Sequence, residues 1–256
     1  MSDNSKIAII TGGSSGIGTE MARYLASQGW DIAITFAGSE ASAKDTVAAI
    51  EAAGQSGFMM QCDVGYKEQV DAFIEAVTDT LGLPHLLVNN AGVQTWAPFL
   101  ELKEEDWDRT IRTNLKGYFL CTQKYAKLLV EHNKPGSVIM IGSGCNKVPF
   151  PNLVDYTVSK GGIENLTQVA ATELGQYGIR VNCVAPGAIE IERTRLETPE
   201  YGETWGALAP LGRVGYPLDI AKAVEYLGSE NAAYVTGQTL YVDGGVFTKP
   251  NWPYKN

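Results

Sequence analysis

The sequence predicts an α/β chain folded on one doubly wound sheet of seven mainly parallel strands, with helices on both faces. Three observations carry that expectation. Short apolar runs alternate with segments whose apolar residues recur at helical spacing. The runs are apolar almost throughout rather than at every second position, as strands buried on both faces require. The length, 256 residues, suits one domain with one sizeable core. Right-handed crossovers then wind the helices onto both sides of the sheet.

The first run, Lys6–Thr11, turns at Gly12-Gly13. A helix over Ile17–Gln28 follows, with Ile17, Met21, Ala22 and Leu25 on one face and Gly29 at its end. A strand over Asp31–Ala37 precedes a helix over Ala41–Ala53 closed by Gly54. Strand Phe58–Cys62, helix Lys67–Leu81 and strand Leu86–Asn89 come next. A long helix at about 110–131 leads to strand Ser137–Ile141, a helix near 156–176 and strand Arg180–Ala185. Helix Asp219–Leu227 and strand Leu240–Val242 complete the series. One stretch breaks the alternation. Residues 189–213 are polar, hold Pro199 and Pro210, and read as an unstructured loop placed to cover a substrate. Residues 247–256, with Trp252 and Tyr254, read as a tail that either frays or packs across a subunit contact.

Lys and Arg number 20 against 29 Asp and Glu, a net charge of −9 without basic runs. That balance excludes nucleic acid as a principal ligand, because binding a phosphate backbone needs clustered cations. No apolar run approaches the roughly 20 residues of a membrane helix, and Met1–Lys6 lacks the order of a signal peptide. Four cysteines far apart and two histidines suit a reducing cytoplasm and no metal site.

Thr11–Gly18 carries glycines 12, 13, 16 and 18 between the first strand and first helix. Glycines there let the backbone turn tightly and approach a pyrophosphate at the helix N-terminus. The candidates are Gly12, Ser14, Ser15, Gly16, Ile17 and Gly18, in a sheet of Rossmann type. Asp63-Val64 ends the third strand, where the carboxylate either accepts from an adenine amino group or caps a helix. Asn90, Ala91 and Gly92 follow the fourth strand and admit a flat ring or ribose close to the backbone. The second strand ends without a carboxylate until Glu40, and Ser39 and Ser15 offer neutral donors for a 2′-phosphate. NADP is therefore preferred and NAD stays possible.

Tyr156 and Lys160 lie four apart, hence on one helical face. A neighbouring cation lowers a phenol's pKa and suits it to acid–base chemistry. Ser143, 13 residues earlier at a strand end, is placed to donate to a substrate carbonyl or alkoxide. Gln94 and Asn146, with Tyr156 and Ser143, are the substrate candidates, and uncharged polar side chains suit a hydroxyl-rich sugar or polyol.

These motifs in this order resemble the short-chain dehydrogenase/reductase family over roughly 6–246. The resemblance rests on Thr11–Gly18, Asp63, Asn89–Gly92, Asn114, Ser143, Tyr156, Lys160 and Pro186-Gly187. It implies that Tyr156 is the acid–base residue and that Lys160 lowers its pKa while binding the nicotinamide ribose. It implies that Asn114 completes a proton relay, and that Pro186-Gly187, with Ile189 of the same segment, lies beside the nicotinamide. A threonine frequent in the family two residues after Ile189 is replaced by Ile191. Within the family the chain is similar to bacterial NAD(P)-dependent glucose 1-dehydrogenases, through 146–151, 234–237 and Asp243-Gly244-Gly245. The family's usual homotetramer makes 212–240 and the tail interface candidates. The leading expectation is hydride transfer between a secondary alcohol, a sugar or polyol, and NAD(P). A 3-oxoacyl thioester reductase is the alternative in the same class, and a non-catalytic dinucleotide sensor the alternative in another.

Overall fold

The computed structural model describes residues 6–248. A single seven-stranded sheet runs through it in the order β3-β2-β1-β4-β5-β6-β7. The strands are β1 (Lys6–Ile10), β2 (Trp30–Phe36), β3 (Gly57–Gln61), β4 (Leu86–Asn89), β5 (Gly136–Ile141), β6 (Ile179–Pro186) and β7 (Thr239–Val242). All pairings are parallel, so the expected "mainly" becomes "entirely". Central strands β1, β2, β4, β5 and β6 bury nearly every residue, while the edges β3 and β7 stay half-exposed. That contrast explains why the central strands read as unbroken apolar runs.

Helices α1 (Gly16–Ser27), α2 (Glu40–Ala52) and α3 (Lys67–Thr80) connect the first four strands. Two clusters of buried side chains lie on the two faces. One gathers Phe73, Tyr118, Tyr125 and Ile163, the other Met21, Leu25, Ile50 and Val224. The strand order reverses between β1 and β4, and a crevice opens there at the carboxyl ends, where α/β sheets bind ligands.

Two expectations need correction. The long helix starts earlier, as α4 (Glu104–Ile111), passes through a π-helical turn at Arg112–Lys116 and continues as α5 (Gly117–Glu131). Glu104, Glu105 and Asp106 occupy the first turn of α4, where acids complement the helix dipole. Their polarity hid the start from an apolar periodicity. Residues 189–213 are not unstructured: they hold α7 (Glu192–Glu197) and α8 (Tyr201–Leu208). Pro199 falls between these helices and Pro210 after them, so each proline ends a helix instead of forbidding one. The remaining helices are α6 (Val154–Leu174) and α9 (Pro217–Gly228). The tail expectation over 247–256 lies, beyond residue 248, outside the described residues. All four cysteines are buried and free.

Candidate active site

The glycine loop is tied down by backbone and short side chains. Thr35 Oγ1 on β2 accepts the Gly12 N–H at 3.0 Å, and its carbonyl accepts that of Gly13 at 2.9 Å. Thr11 Oγ1 accepts the N–H groups of Asn90 and Ala91 at 2.9 and 3.1 Å. Asn90 Nδ2 returns two bonds, to the Thr11 and Gly12 carbonyls, both at 3.0 Å. The loop after β4 and the loop after β1 are therefore one hydrogen-bonded unit. No side chain fits at two of its glycines: a Cβ on Gly12 (φ 65°) would meet Ala91 Cα at 2.9 Å, and one on Gly18 the Gly12 carbonyl at 2.2 Å.

This unit forms one wall of a cleft of about 770 Å³. The cleft gathers Gly12, Ser14, Ser15, Gly16, Ile17, Gly18, Ser39, Asp63, Val64, Asn90, Ala91 and Gly92. It has the size of a cofactor site, and its glycine-floored wall fits a dinucleotide pyrophosphate at the N-terminus of α1. Asp63 does not cap α3, whose N-cap is Tyr66. Its Oδ1 instead accepts the Gly65 N–H at 2.9 Å, closing a tight turn at the cleft wall. Ile189 is buried in the core, and Ile191, two residues on, faces the cleft in its place. Pro186 ends β6 and Gly187 follows it, packed against Asp243, with its N–H donating to the Val242 carbonyl at 3.0 Å.

Arg109, Arg112 and Arg193 also line the cleft, and sequence reading had not placed them there. The guanidinium of Arg112 lies 5.3 Å from the Tyr66 ring, and its buried Nε has no hydrogen-bond partner. The available signal was the start of α4, which would have put Arg109 and Arg112 on one helical face.

Beyond the cleft, β5 delivers Ser143 and α6 delivers Tyr156 and Lys160. Ser143 faces Tyr156 and pulls its pKa down. Lys160 Nζ lies 5.4 Å from the Tyr156 ring centroid and donates to the Ile141 carbonyl at 2.7 Å. Tyr118, buried in α5, donates to the same carbonyl at 3.2 Å. The π-helical turn aims Asn114 inward, where Oδ1 accepts the Val93 N–H and Nδ2 donates to the Val93 carbonyl, both at 2.8 Å. Asn114 Nδ2 also reaches Ser159 Oγ at 3.0 Å, so it braces the loop after β4 against α6. Turns of this kind recur at functional sites.

The expected lowering of the Tyr156 pKa is overturned by desolvation. Burial pushes Tyr156 up to about 12, although Ser143 and the charge of Arg193 pull the other way. Burial also brings Lys160 down to about 8. At Tyr156 the removal of water thus outweighs the pull of Ser143 and of the Arg193 charge.

Asn146, expected at the substrate, spends its amide within the chain. Its Oδ1 accepts the Ser143 N–H at 3.1 Å and its Nδ2 approaches Cys183 Sγ at 3.8 Å. Gln94 lies half-buried on the loop after β4. Among the described residues no group of three or more His, Cys, Asp or Glu side chains could hold a metal.

A glycine-floored cleft at the switch point of a parallel sheet, with a Ser–Tyr–Lys group whose phenol feels the charge of Arg193 on the cleft wall, fits an oxidoreductase of the nicotinamide-dinucleotide class. A family model described as enoyl-(acyl carrier protein) reductase matches residues 12–247. A 3-oxoacyl-[acyl-carrier-protein] reductase of Staphylococcus aureus is 39% identical over 242 residues, 94% of this chain and 98% of that protein. The 3beta-hydroxysteroid dehydrogenase 1 of Eggerthella lenta is 37% identical over 251 residues, 97% of this chain and 96% of that one. Among solved structures, acetoin dehydrogenase from Enterobacter cloacae superposes with a TM-score of 0.89 at 36% identity, covering 99% of this chain and 100% of that one. The chain belongs to the short-chain dehydrogenase/reductase family and is an NAD(P)-dependent oxidoreductase. No helix among the described residues is long and apolar enough to cross a membrane.

Proposed function

We propose that the protein interconverts a secondary alcohol and its ketone, with Tyr156 as the acid–base group. One observation carries this reading: Ser143 and Lys160 both lie against Tyr156, and Arg193 on the wall of the glycine-floored cleft acts on the same phenol. When bound, the dinucleotide supplies a nicotinamide that takes or gives a hydride. Gly12 to Gly18 would hold its pyrophosphate, Asn90 to Gly92 its central ribose and ring, and Asp63-Val64 its adenine.

Ser143 donates to the substrate oxygen and orients it. Tyr156 then takes the hydroxyl proton in oxidation, or returns it in reduction. A phenol raised to about 12 is protonated throughout the neutral range, as the donor in reduction must be. Lys160, near 8, carries its charge on most molecules at neutral pH and steadies the tyrosinate as it forms. Asn114 positions the loop and helix that bracket the reacting oxygen.

NADP is the cofactor this reading prefers. β2 ends in Phe36-Ala37, and the first acid beyond it, Glu40, is paired with Lys44 at 2.8 Å. Ser39 and Ser42 stand at the N-terminus of α2, on the cleft wall, where a 2′-phosphate meets helix N–H groups. A homotetramer is part of the same reading, supported by the exposed Phe119 on α5 and the exposed Val158 and Val169 on α6. The 3-oxoacyl thioester alternative is favoured by the similarity to the staphylococcal reductase. The test is to follow nicotinamide absorbance with both cofactors against secondary alcohols, sugars, polyols and 3-oxoacyl thioesters. Turnover of none of them, with dinucleotide bound, overturns the reading.

A further inference from the structure

Four aromatic rings meet beside the reacting group, and neither of the two core clusters contains them. Phe150, in the loop before α6, lies 6.1 Å from Trp205 on α8 and 5.7 Å from Phe247 after β7. Tyr201, one turn before Trp205 on α8, is 6.2 Å from it. All four keep part of their surface open. They come from three separate segments, so tertiary packing and not local sequence brings them together.

Their position ties them to the chemistry. The Phe247 ring fills the space where a Cβ on Gly144 would stand, 1.9 Å from its Cε2, and Gly144 follows Ser143 directly. Tyr201 and Arg193, both carried by the segment after β6, act electrostatically on Tyr156. The loop after β4 joins the same wall, because the Ala97 N–H donates to the Asn152 carbonyl at 3.0 Å. That loop exposes Trp96 (65%) and Phe99 (77%), and Leu208 and Leu211 at the end of α8 are exposed as well.

The faces of these rings offer an apolar surface, and both ends of the Asn146 amide nearby are engaged within the chain. A sugar laid here would bury hydroxyls without partners, which costs free energy for each. An apolar body would instead gain by leaving water.

We propose that the substrate is a secondary alcohol or ketone with an apolar ring or chain, which lies against Phe150, Tyr201, Trp205 and Phe247. This rests on the hydride-transfer reading above. In oxidation the carbinol carbon would give a hydride to a bound nicotinamide dinucleotide, and its hydroxyl would give a proton to the phenolate form of Tyr156. The C=O double bond forms as the C–H and O–H bonds break, and reduction reverses each step.

The test measures initial rates of the full chain with NADP and with NAD. Alicyclic, aryl and long-chain secondary alcohols and ketones are compared with glucose and linear polyols. The expected kcat/KM favours the apolar set by about a hundredfold. Trp205→Ala and Phe150→Ala should raise KM for the larger apolar substrates about tenfold, with the penalty shrinking as the apolar body shrinks. Trp205→Phe should recover most of it. Faster turnover of glucose or polyols overturns the proposal and leaves hydride transfer standing. So does a Trp205→Ala penalty independent of substrate size. Calorimetric binding of an apolar ketone to the dinucleotide-loaded protein, lost in Trp205→Ala but without turnover of any compound, supports the wall and overturns the hydride-transfer reading instead.

Discussion

Around β1, β2 and β4 the cleft is held by backbone groups, threonine hydroxyls and one asparagine, with glycines wherever a side chain would collide. Beyond β5 the site is closed differently, by large side chains on a loop, a short helix and the segment after β7, in contact through ring faces and edges. The first region fixes a shape to which one kind of ligand conforms. The second fixes a surface whose character changes with each ring. A single substitution should therefore act on cofactor binding through geometry and on the substrate through area, with the reacting group between them answering to charge.

The largest expected effect falls on that reacting group. Tyr156→Phe should lower kcat by at least about a hundredfold, the usual loss for a general acid–base group, while dinucleotide affinity measured by fluorescence stays close to wild type. Turnover near the wild-type rate would remove Tyr156 from the mechanism. The pH profile sharpens the same point. Because burial holds Tyr156 near 12, its ionised fraction grows about tenfold per pH unit below that value, and kcat/KM for oxidation should climb accordingly from neutral pH. Reduction, which uses the protonated phenol, should stay flat over the same range. The oxidative slope should ease above about 8, where Lys160 loses the charge that steadies the tyrosinate. An oxidation rate flat from neutral to alkaline pH, with hydride transfer limiting, argues against Tyr156 as base.

In the backbone-built region, Gly18→Ala puts a methyl 2.2 Å from the Gly12 carbonyl. The loop must shift, at a cost of about 1–3 kcal/mol. Dinucleotide affinity should fall by about tenfold or more, and a thermal melt should drop as well. Unchanged affinity would show that the loop yields, and would break the contrast between the two regions. Ala37→Asp tests cofactor choice in the same region. A carboxylate there repels a 2′-phosphate and accepts from ribose hydroxyls. The ratio of kcat/KM for NADP over NAD should fall about tenfold and invert. A wild-type ratio well below one would show that the end of β2 favours NAD from the outset.

The smallest effect is expected where the two regions meet. Arg193 lines the cofactor cleft on α7, and its charge pulls the Tyr156 pKa down. Its surroundings at Tyr156 also include Lys160 and Cys145 on their own elements, Tyr118 on α5 and Tyr201 on α8. Arg193 is exposed, so solvent weakens the coupling. Arg193→Gln should shift the oxidation profile to higher pH by a fraction of a unit, about threefold in rate, and Arg193→Lys should restore it. A loss of kcat without a pH shift would make Arg193 a cofactor contact alone.

The phosphate loop, Tyr156, Lys160 and Ser143 were legible because their chemistry depends on residue type and short spacing. The central strands were legible because burial on both faces leaves a nearly unbroken apolar run, as in Ile7–Ile10 or Val138–Ile141. The start of α4 and the helices α7 and α8 were not, because acids and prolines mask the periodicity that marks a helix. Arg109 and Arg112 were missed for the same reason: their place depends on where that helix begins.

The sequence by itself determined the fold, the glycine loop after β1 and the pairing of Tyr156 with Lys160 on one helical face, since glycine conformation, apolar periodicity and an i, i+4 pair are local properties. Tertiary structure alone decided that Asn146 turns its amide on Ser143 and Cys183, that Ile191 and not Ile189 meets the cleft, and that Phe150, Tyr201, Trp205 and Phe247 form one wall. It also decided the ionisation of Tyr156 and Lys160. The sign of the Tyr156 shift depends on how much water packing removes from the phenol and its neighbouring cation, and desolvation is a property of the folded surroundings that no spacing along the chain records.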